Sequence, residues 1–512
     1  MQTIRLIDHK PRLDLRSALL LVVLLAVGVA AALVVGRALD IEDQVVGMVI
    51  IDIMLVTAIV CFYDLTYAII FWFFALTYIL RYTQLNLPGI PDMSGPRFML
   101  VVMWGVFALE VALRRRRPLG IGKIEWAMLL FMVINLISMI HHQNLMHSAH
   151  RASPITSFMN FVVFPFSVFY LTRNACSSDT SVRRLLIAFG ILHLHLTVTG
   201  ILEHFHVSGL VFPPDILDPE AGEGRWFGVR IRGPYLHSPI YGAVMGMGFY
   251  LTLHFIAYVK GKLRWALLVG LAATPLSVLY TLTRQVWLGW GLPLILGFAF
   301  SKRQRVVLGV LVLAALTFVV MADMNAVVDE DALANRATNE NTGESRIGQF
   351  VAGSLMFMDS PIFGIGLEMW EVTMERYRRQ LSVIHTPFGD VDTKWARGAD
   401  AHNTFLRVAV ELGIVGLIPF FAIFLFIVQR SIRLFRALPR EGLYGRGLVL
   451  AFWQMMIGFL LCIFFTDPSF AEFLPGYYFA WAGIIVRRAE LAEQQAAGHP
   501  IPPDHTLAVE VV

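Results

Sequence analysis

Long apolar segments constrain this chain more than any other feature. About fourteen, most close to 20 residues long, lie near 17–36, 44–62, 65–85, 98–113, 124–141, 155–172, 184–204, 237–259, 264–282, 286–300, 305–322, 404–428, 447–466 and 471–486. A helix of ~20 apolar residues crosses a bilayer with its backbone hydrogen bonds satisfied internally. Hydrophobic residues make up 57% of the chain and charged residues only 15%. The sequence therefore predicts an all-α polytopic membrane protein with about 14 transmembrane helices.

The basic residues indicate the orientation of these spans, because cytoplasmic loops retain lysine and arginine. With fourteen spans, every basic cluster falls on one side: 5–16, 114–123, 173–184, 260–264, 302–305, 430–446 and 487–488. Both termini are then predicted to be cytoplasmic, including a polar tail at 489–512. The net charge of +4 is explained by loops that face anionic lipid, and not by binding of nucleic acid.

Two predicted loops on the opposite, non-cytoplasmic side are long enough to carry function. They span residues 206–236 and 322–403, and loops above ~15 residues in compact proteins are commonly functional. In the second loop, apolar residues from Ile347 to Met358 recur at helical spacing, and Pro361 and Gly364 follow them. The pattern predicts an ordered amphipathic helix within this large loop.

Arginines on the non-cytoplasmic side are candidate ligands for an anion. Arg230 and Arg232 precede the span at 237–259, and Arg284 lies between two spans that almost no loop separates. Guanidinium groups stay charged and bind phosphates through two parallel hydrogen bonds. For Arg230 and Arg232 the alternative is contact with lipid headgroups. For Arg284 it is a structural salt bridge, to Glu203 or Glu411.

The segment from Asp400 to Gly416 contains a candidate general base. His402-Asn403 opens the apolar run at 404–428, and imidazole accepts protons near neutral pH. The alternative is that the histidine only caps or anchors the helix. Glu411 lies nine residues further, on roughly the opposite helix face, and is expected to pair inside the bundle. Gly413 and Gly416 are expected to have a structural role, since small residues permit close packing.

No metal site is predicted. Histidines at 141–150 lack a recognisable ligand spacing. The acidic residues at 40–43 invite comparison with an acidic metal-binding motif, but they are interpreted as a solvated cap on two helices. The three cysteines, Cys61, Cys176 and Cys462, suggest neither a disulfide framework nor a metal cluster.

In their order along the chain, these features resemble the O-antigen ligase/polymerase superfamily of integral-membrane glycan transferases. The resemblance rests on Arg232-Gly233 before a span, the turn ending at Arg284, the loop sequence SRIGQFVAGSLMFMDSPIFGIGLEMW, and AHNTFLRVAVELGIVG. It covers residues 201–430, a ligase-like core. Residues 1–200 and 431–488 are then the flanking groups of transmembrane helices.

The resemblance implies a GT-C-like fold in the bacterial inner membrane, with an active site facing the periplasm. It implies metal-independent, inverting transfer of a glycan from undecaprenyl pyrophosphate to a sugar hydroxyl, without a cofactor. In this scheme His402 is the general base, and Arg284 and Arg232 stabilise the departing pyrophosphate. Four further residues are expected to bind substrate: Arg230, Arg346, Asn403 and Asp400.

Several functions remain open within and beyond this resemblance. The leading hypothesis is a ligase whose acceptor is lipid-anchored or glycan-bound, such as lipid A-core. The alternative is a polymerase of O-antigen or exopolysaccharide repeat units, which uses the same donor. A transporter of polysaccharide or lipid fits the number of spans, but the sequence lacks the internal repeats typical of transporters.

Overall fold

The computed structural model describes residues 41–85, 93–141, 154–222, 228, 230–302, 304–306, 309, 341–380, 383–386, 389–392, 401–468 and 471–497. The described residues up to Leu119 belong to one compact unit, and those from Gly120 onward belong to a second. The helices that the sequence analysis grouped as 1–200 are therefore divided between two units.

The described part of the first unit contains three α-helices and a short strand pair. In order they are α1 (Ile41–Tyr63), α2 (Leu65–Tyr78), β1 (Gln84–Leu85), β2 (Met93–Ser94) and α3 (Gly95–Ala112). Asp64 caps α2, because its Oδ1 accepts a hydrogen bond from the backbone N–H of Thr66 at 2.8 Å. The segment predicted as a span at 65–85 is α-helical only to Tyr78, and a 3₁₀ turn at Leu80–Thr83 follows. At 14 residues, α2 is shorter than the ~20 residues that cross a bilayer.

The second unit is a helical bundle with a small hairpin. Its elements are α4 (Lys123–His141), α5 (Pro154–Ala175), α6 (Asp179–His204), α7 (Ser238–Phe255), α8 (Gly261–Tyr280), α9 (Arg284–Phe300), α10 (Asn341–Asp359), α11 (Trp370–Gln380), β3 (Val383–Thr386), β4 (Gly389–Asp392), α12 (Thr404–Ala437), α13 (Arg446–Phe465) and α14 (Phe473–Ala496). The pairs α5–α14, α9–α13, α7–α13, α4–α12 and α6–α8 pack most extensively. The antiparallel hairpin of β3 and β4 was not predicted.

Nine of the described helices are long and apolar enough to cross a membrane, judged by length and composition. They are Val45–Tyr63, Gly95–Ala112, Lys123–Ile140, Pro154–Ala175, Asp179–His204, Ser238–Tyr258, Gly261–Tyr280, Thr404–Ala437 and Arg446–Phe465. Of the other predicted spans, three correspond to α2, α9 and α14, which are helical but outside these nine. Two, at 17–36 and 305–322, lie wholly or almost wholly outside the described residues. A multi-pass all-α membrane protein is confirmed, and the number fourteen stays a prediction.

The long helix α12 is broken at Gly413, whose φ of 63° and ψ of −165° interrupt the helical backbone. Segment 361–366, which follows α10, lies against this break. Four backbone hydrogen bonds of 2.9 to 3.2 Å join it to residues 410–415. A Cβ at Gly413 would lie only 2.3 Å from the carbonyl oxygen of Ile362, whereas one at Gly416 would contact Leu412 of the same helix. Gly413 thus permits close contact with the inserted segment.

Candidate functional site

His402 and Asn403 form the turn that begins α12. The side chain of Asn403 accepts a hydrogen bond from the backbone N–H of Leu406 at 3.0 Å, so Asn403 is the N-cap. His402 precedes it with a φ of 46°, a left-handed conformation that is uncommon for residues other than glycine. The imidazole is half-buried. The helix therefore uses the asparagine for capping, and the adjacent histidine lies outside its hydrogen-bonded turn.

Thr466 joins the beginnings of α9 and α12. The hydroxyl of Thr404 donates to the carbonyl oxygen of Thr466 at 3.3 Å. The amide of Gln285 donates to the hydroxyl of Thr466 at 2.6 Å. Since His402 is two residues from Thr404, and Arg284 is adjacent to Gln285, these contacts bring two predicted site residues to the same end of the bundle.

Arg346 brings a second guanidinium to this end. Its Cζ lies 5.5 Å from the ring centroid of Phe465, the residue immediately before Thr466. Burial, and then the neighbouring charge of Arg284, lower the pKa of the Arg346 guanidinium. Arg284 itself is exposed. Two neighbouring cations attract a polyanion, because an anion bound between them offsets their mutual repulsion.

Arg232 differs from the expectation of a phosphate ligand. Its side chain is fully buried, and its terminal nitrogens donate to three carbonyl oxygens, those of Ala221 at 2.6 Å, Ile216 at 2.9 Å and Asp218 at 3.1 Å. Its guanidinium therefore stabilises the loop between α6 and α7 through these hydrogen bonds and is not presented to a ligand. The reason is geometric, since carbonyl oxygens supply the acceptors that a phosphate would otherwise provide.

Glu203 anchors the same loop to the end of α6. Its carboxylate accepts hydrogen bonds from the backbone N–H groups of Arg232 and Gly233, both at 2.9 Å. A salt bridge from Glu203 to Arg284 was the structural alternative in the sequence analysis. The carboxylate is instead used by the loop backbone, with the Arg232 Nε 4.0 Å away.

Arg230 lines a small cavity of about 10 Å³ together with Glu203, His204 and His206. The neighbouring Ile231 donates its backbone N–H to the carbonyl oxygen of Tyr280 at 3.2 Å. The loop is thereby attached to the end of α8, four residues before Arg284. Asp400, also predicted to bind substrate, lies outside the described residues.

Arg407 is a charged residue that the sequence analysis missed. It is buried one turn into α12, where it forms ion pairs with Asp467, Glu368 and Glu411, the last at 3.1 Å. Its backbone N–H also donates to the carbonyl oxygen of Asn403 at 3.0 Å. These contacts join three segments near the beginning of α12, the helix that follows His402. The i, i+4 spacing of Arg407 and Glu411 inside an apolar run was the sequence pattern that could have revealed the pair.

Glu411 has a structural position in this network. Besides Arg407, its carboxylate accepts a hydrogen bond from the backbone N–H of Trp370 at 3.3 Å, and the side chain is 2% exposed. Among the described residues, the carboxylate of Glu411 is bonded to Arg407 and Trp370, and not to Arg284, the other structural alternative. Glu411 thus connects the beginning of α11 to α12.

Potential metal ligands do not cluster in the described part of the chain, which contains no group of three or more His, Cys, Asp or Glu side chains able to hold a metal ion. The histidines at 142–150 and the acidic residue at position 40 lie outside the described residues.

Comparison with known proteins identifies one family. Residues 266–421 match the family model described as O-antigen ligase. A comparison with curated proteins finds no match. The matched segment includes Arg284, Arg346 and His402, and it excludes Arg230 and Arg232. This match, over a segment that contains Arg284, Arg346 and His402, supports a relationship to the O-antigen ligase-like superfamily.

Proposed function

We propose that this protein is a glycan ligase that transfers an undecaprenyl-pyrophosphate-linked glycan to a sugar hydroxyl on a lipid-anchored acceptor such as lipid A-core. The observation that carries this proposal is the convergence at Phe465 and Thr466. Arg346 lies over the first residue, and the segments that begin with Arg284 and His402 are both hydrogen-bonded to the second. A base and two cations at one end of an apolar bundle suit a donor that is both a lipid and a polyanion.

In the proposed reaction, the imidazole of His402 accepts the proton of the acceptor hydroxyl. The hydroxyl oxygen attacks the anomeric carbon of the donor sugar, and the bond from that carbon to the phosphate oxygen breaks. Undecaprenyl pyrophosphate leaves with the bonding electrons, and the configuration at the anomeric carbon is inverted. Arg284 and Arg346 stabilise the charge on the leaving group, a task for which fixed guanidinium groups are well suited.

The contacts at this end of the bundle change the roles that we propose for the individual arginines. Arg284 and Arg346 take the role of pyrophosphate ligands. Arg232 supports the loop between α6 and α7, because its donors are used by carbonyl oxygens. Asn403 caps α12 and acts on His402 through the backbone. Arg230 remains a candidate substrate ligand at the rim of the site.

We propose that the site faces the periplasm and that both termini are cytoplasmic. Support comes from basic residues at the opposite end of the bundle, where Arg173 pairs with Glu125 and Glu490, each at 2.6 Å. Arg430 pairs with Glu493 at the same end. Cytoplasmic ends of spans retain such residues. A reporter fused after residue 497 should be active only if it works in the cytoplasm, and periplasmic activity would contradict this orientation.

Transfer by the purified protein in lipid vesicles tests the function directly. With a glycan-bearing undecaprenyl pyrophosphate and a lipid-anchored sugar acceptor, His402→Ala should reduce the rate by about 10²–10⁴-fold, since that is the usual contribution of a general base. His254→Gln is the matched control. His254 lies at the opposite end, where it bonds the carbonyl oxygen of Leu443, and glutamine can keep that bond. Normal transfer by well-folded His402→Ala protein would refute the base assignment.

The product that accumulates in a deletion strain separates ligase from polymerase. Long undecaprenyl-linked chains that remain unligated indicate a ligase. Single repeat units indicate the polymerase, which uses the same donor and the same three residues. Normal surface glycan in the deletion strain would contradict both functions.

A further inference from the structure

Gln349 is a buried polar residue that none of the contacts above uses. It lies on α10 with only 1% of its surface exposed. Neither its Oε1 nor its Nε2 has a hydrogen-bond partner, and among the described residues it is the only one with two such buried side-chain atoms. Burying an amide without hydrogen-bond partners destabilises a folded protein. Such a residue in a folded protein calls for a partner that binding supplies.

The position of Gln349 on α10 places it at the candidate site. It is one turn from Arg346 and one turn from Gly353, and all three lie on one face of the helix. At one end of this face, Arg346 lies over Phe465. At the other, a Cβ on Gly353 would be 2.9 Å from the side chain of Leu406, which is one turn after His402. Gln349 therefore lies between the two contacts that attach α10 to the site.

The chemistry of an amide complements that of the neighbouring arginines. Its oxygen accepts and its nitrogen donates, so it can bond two neighbouring sugar hydroxyls without adding charge. A pyrophosphate, in contrast, is bound by guanidinium groups. One helical turn spans ~5.4 Å, so the sugar attached to a pyrophosphate at Arg346 is within reach of Gln349.

We propose that Gln349 binds the hydroxyls of the donor sugar that is linked directly to the pyrophosphate, an inference that rests on the proposed function. Gln349 is then a residue that selects the donor glycan, while Arg284 and Arg346 bind the part of the donor common to all glycans. The Gln349 amide has no hydrogen-bond partner within the protein, and the sugar hydroxyls supply its partners on binding.

The test compares the binding of two lipids to the full-length protein in detergent. The probes are undecaprenyl pyrophosphate and its glycan-bearing form, measured at equilibrium so that no turnover is needed. Gln349→Met keeps the length of the side chain and removes both polar atoms. Its Kd for the glycan-bearing lipid should rise about tenfold, equivalent to one or two neutral hydrogen bonds, and its Kd for undecaprenyl pyrophosphate should stay within about twofold.

Thermal unfolding distinguishes a ligand-binding role from a structural one. Gln349→Met should leave the Tm unchanged or raise it, because the removed atoms have no partner in the folded protein. Gln454→Met is the matched control, since the buried Gln454 amide bonds Gln304 and the carbonyl oxygen of Pro293. It should lower the Tm and leave the ratio of the two Kd values unchanged.

Three results would overturn the inference. An unchanged Kd for the glycan-bearing lipid removes the sugar contact, and an equal rise for both lipids assigns Gln349 to the pyrophosphate or to the lipid. A Tm lowered as far as that of Gln454→Met assigns it to folding. These results leave the proposed function intact, whereas failure of the wild-type protein to bind either lipid would refute the proposed function itself.

Discussion

Replacing Arg407 with methionine tests whether the buried charge network holds the site together. The change removes a cation that lies among Asp467, Glu368 and Glu411 and leaves their carboxylates without it. The side chains of Asp467 and Glu411 are each 2% exposed, so water cannot replace the guanidinium. Breaking a buried ion pair from one side costs about 3–5 kcal/mol, and we expect a loss of unfolding free energy in that range.

Arg430→Met is the matched control for this change. Arg430 also pairs with a carboxylate, Glu493, but the two side chains are 32% and 46% exposed. Exposed pairs contribute about 0–1 kcal/mol. Since Cys61, Cys176 and Cys462 are all buried, a thiol-reactive fluorescent dye reports unfolding of the protein in detergent. Arg407→Met should unfold at a clearly lower temperature than Arg430→Met.

A double substitution separates charge from packing. In Arg407→Met with Asp467→Asn, one of the carboxylates left without its cation is neutralised. The double variant should therefore recover part of the Tm that Arg407→Met loses, as coupled neighbours do. Equal Tm values for Arg407→Met and Arg430→Met, or a further loss in the double variant, would refute the account of the network.

Three further predictions address the break in α12, the donor site and the loop. Gly413→Ala should lower the unfolding free energy by at least about 1–3 kcal/mol, because alanine disfavours the backbone conformation and its Cβ would meet the Ile362 carbonyl oxygen; an unchanged Tm would contradict this. Arg284→Lys should transfer glycan at least about tenfold more slowly in vesicles, since a point charge does not replace a two-pronged guanidinium. The activity of the wild-type protein should persist in EDTA. Arg232→Lys should lower the Tm but leave the Kd for undecaprenyl pyrophosphate unchanged in protein that remains folded; a weakened Kd would restore Arg232 as a ligand.

Sequence patterns predicted most of the helices because the membrane restricts the alternatives. An apolar segment in lipid must satisfy its own backbone, and only a helix does so within one segment. The amphipathic pattern from Ile347 to Met358, followed by Pro361 and Gly364, likewise predicted a helix where α10 now lies. The predicted span at 65–85 was too long, because the prediction rested on apolar content alone, whereas the helix ends at Tyr78.

The roles of the individual arginines depend on contacts that are distant in sequence. Arg407 pairs with Glu368 and Asp467, which belong to segments before and after its helix. No local pattern contains such a pairing. Arg232 was judged by its charge and its position before a span, and the carbonyl oxygens that surround it come from the turn at 216–221. Charge and position therefore predicted candidate anion ligands, but not which of these arginines form hydrogen bonds within the protein.

The break in α12 has a consequence for exchanging parts between related proteins. Because residues 361–366 supply backbone partners to residues 410–415, the large loop and the spanning helix form a single exchangeable module. A chimera that joins the loop of one protein to the helix of another would replace one of these two hydrogen-bonded segments without the other. Experiments that exchange this loop should therefore transplant the chain from the start of α10 through Gly416 as one piece, and natural recombination is expected to respect the same boundary.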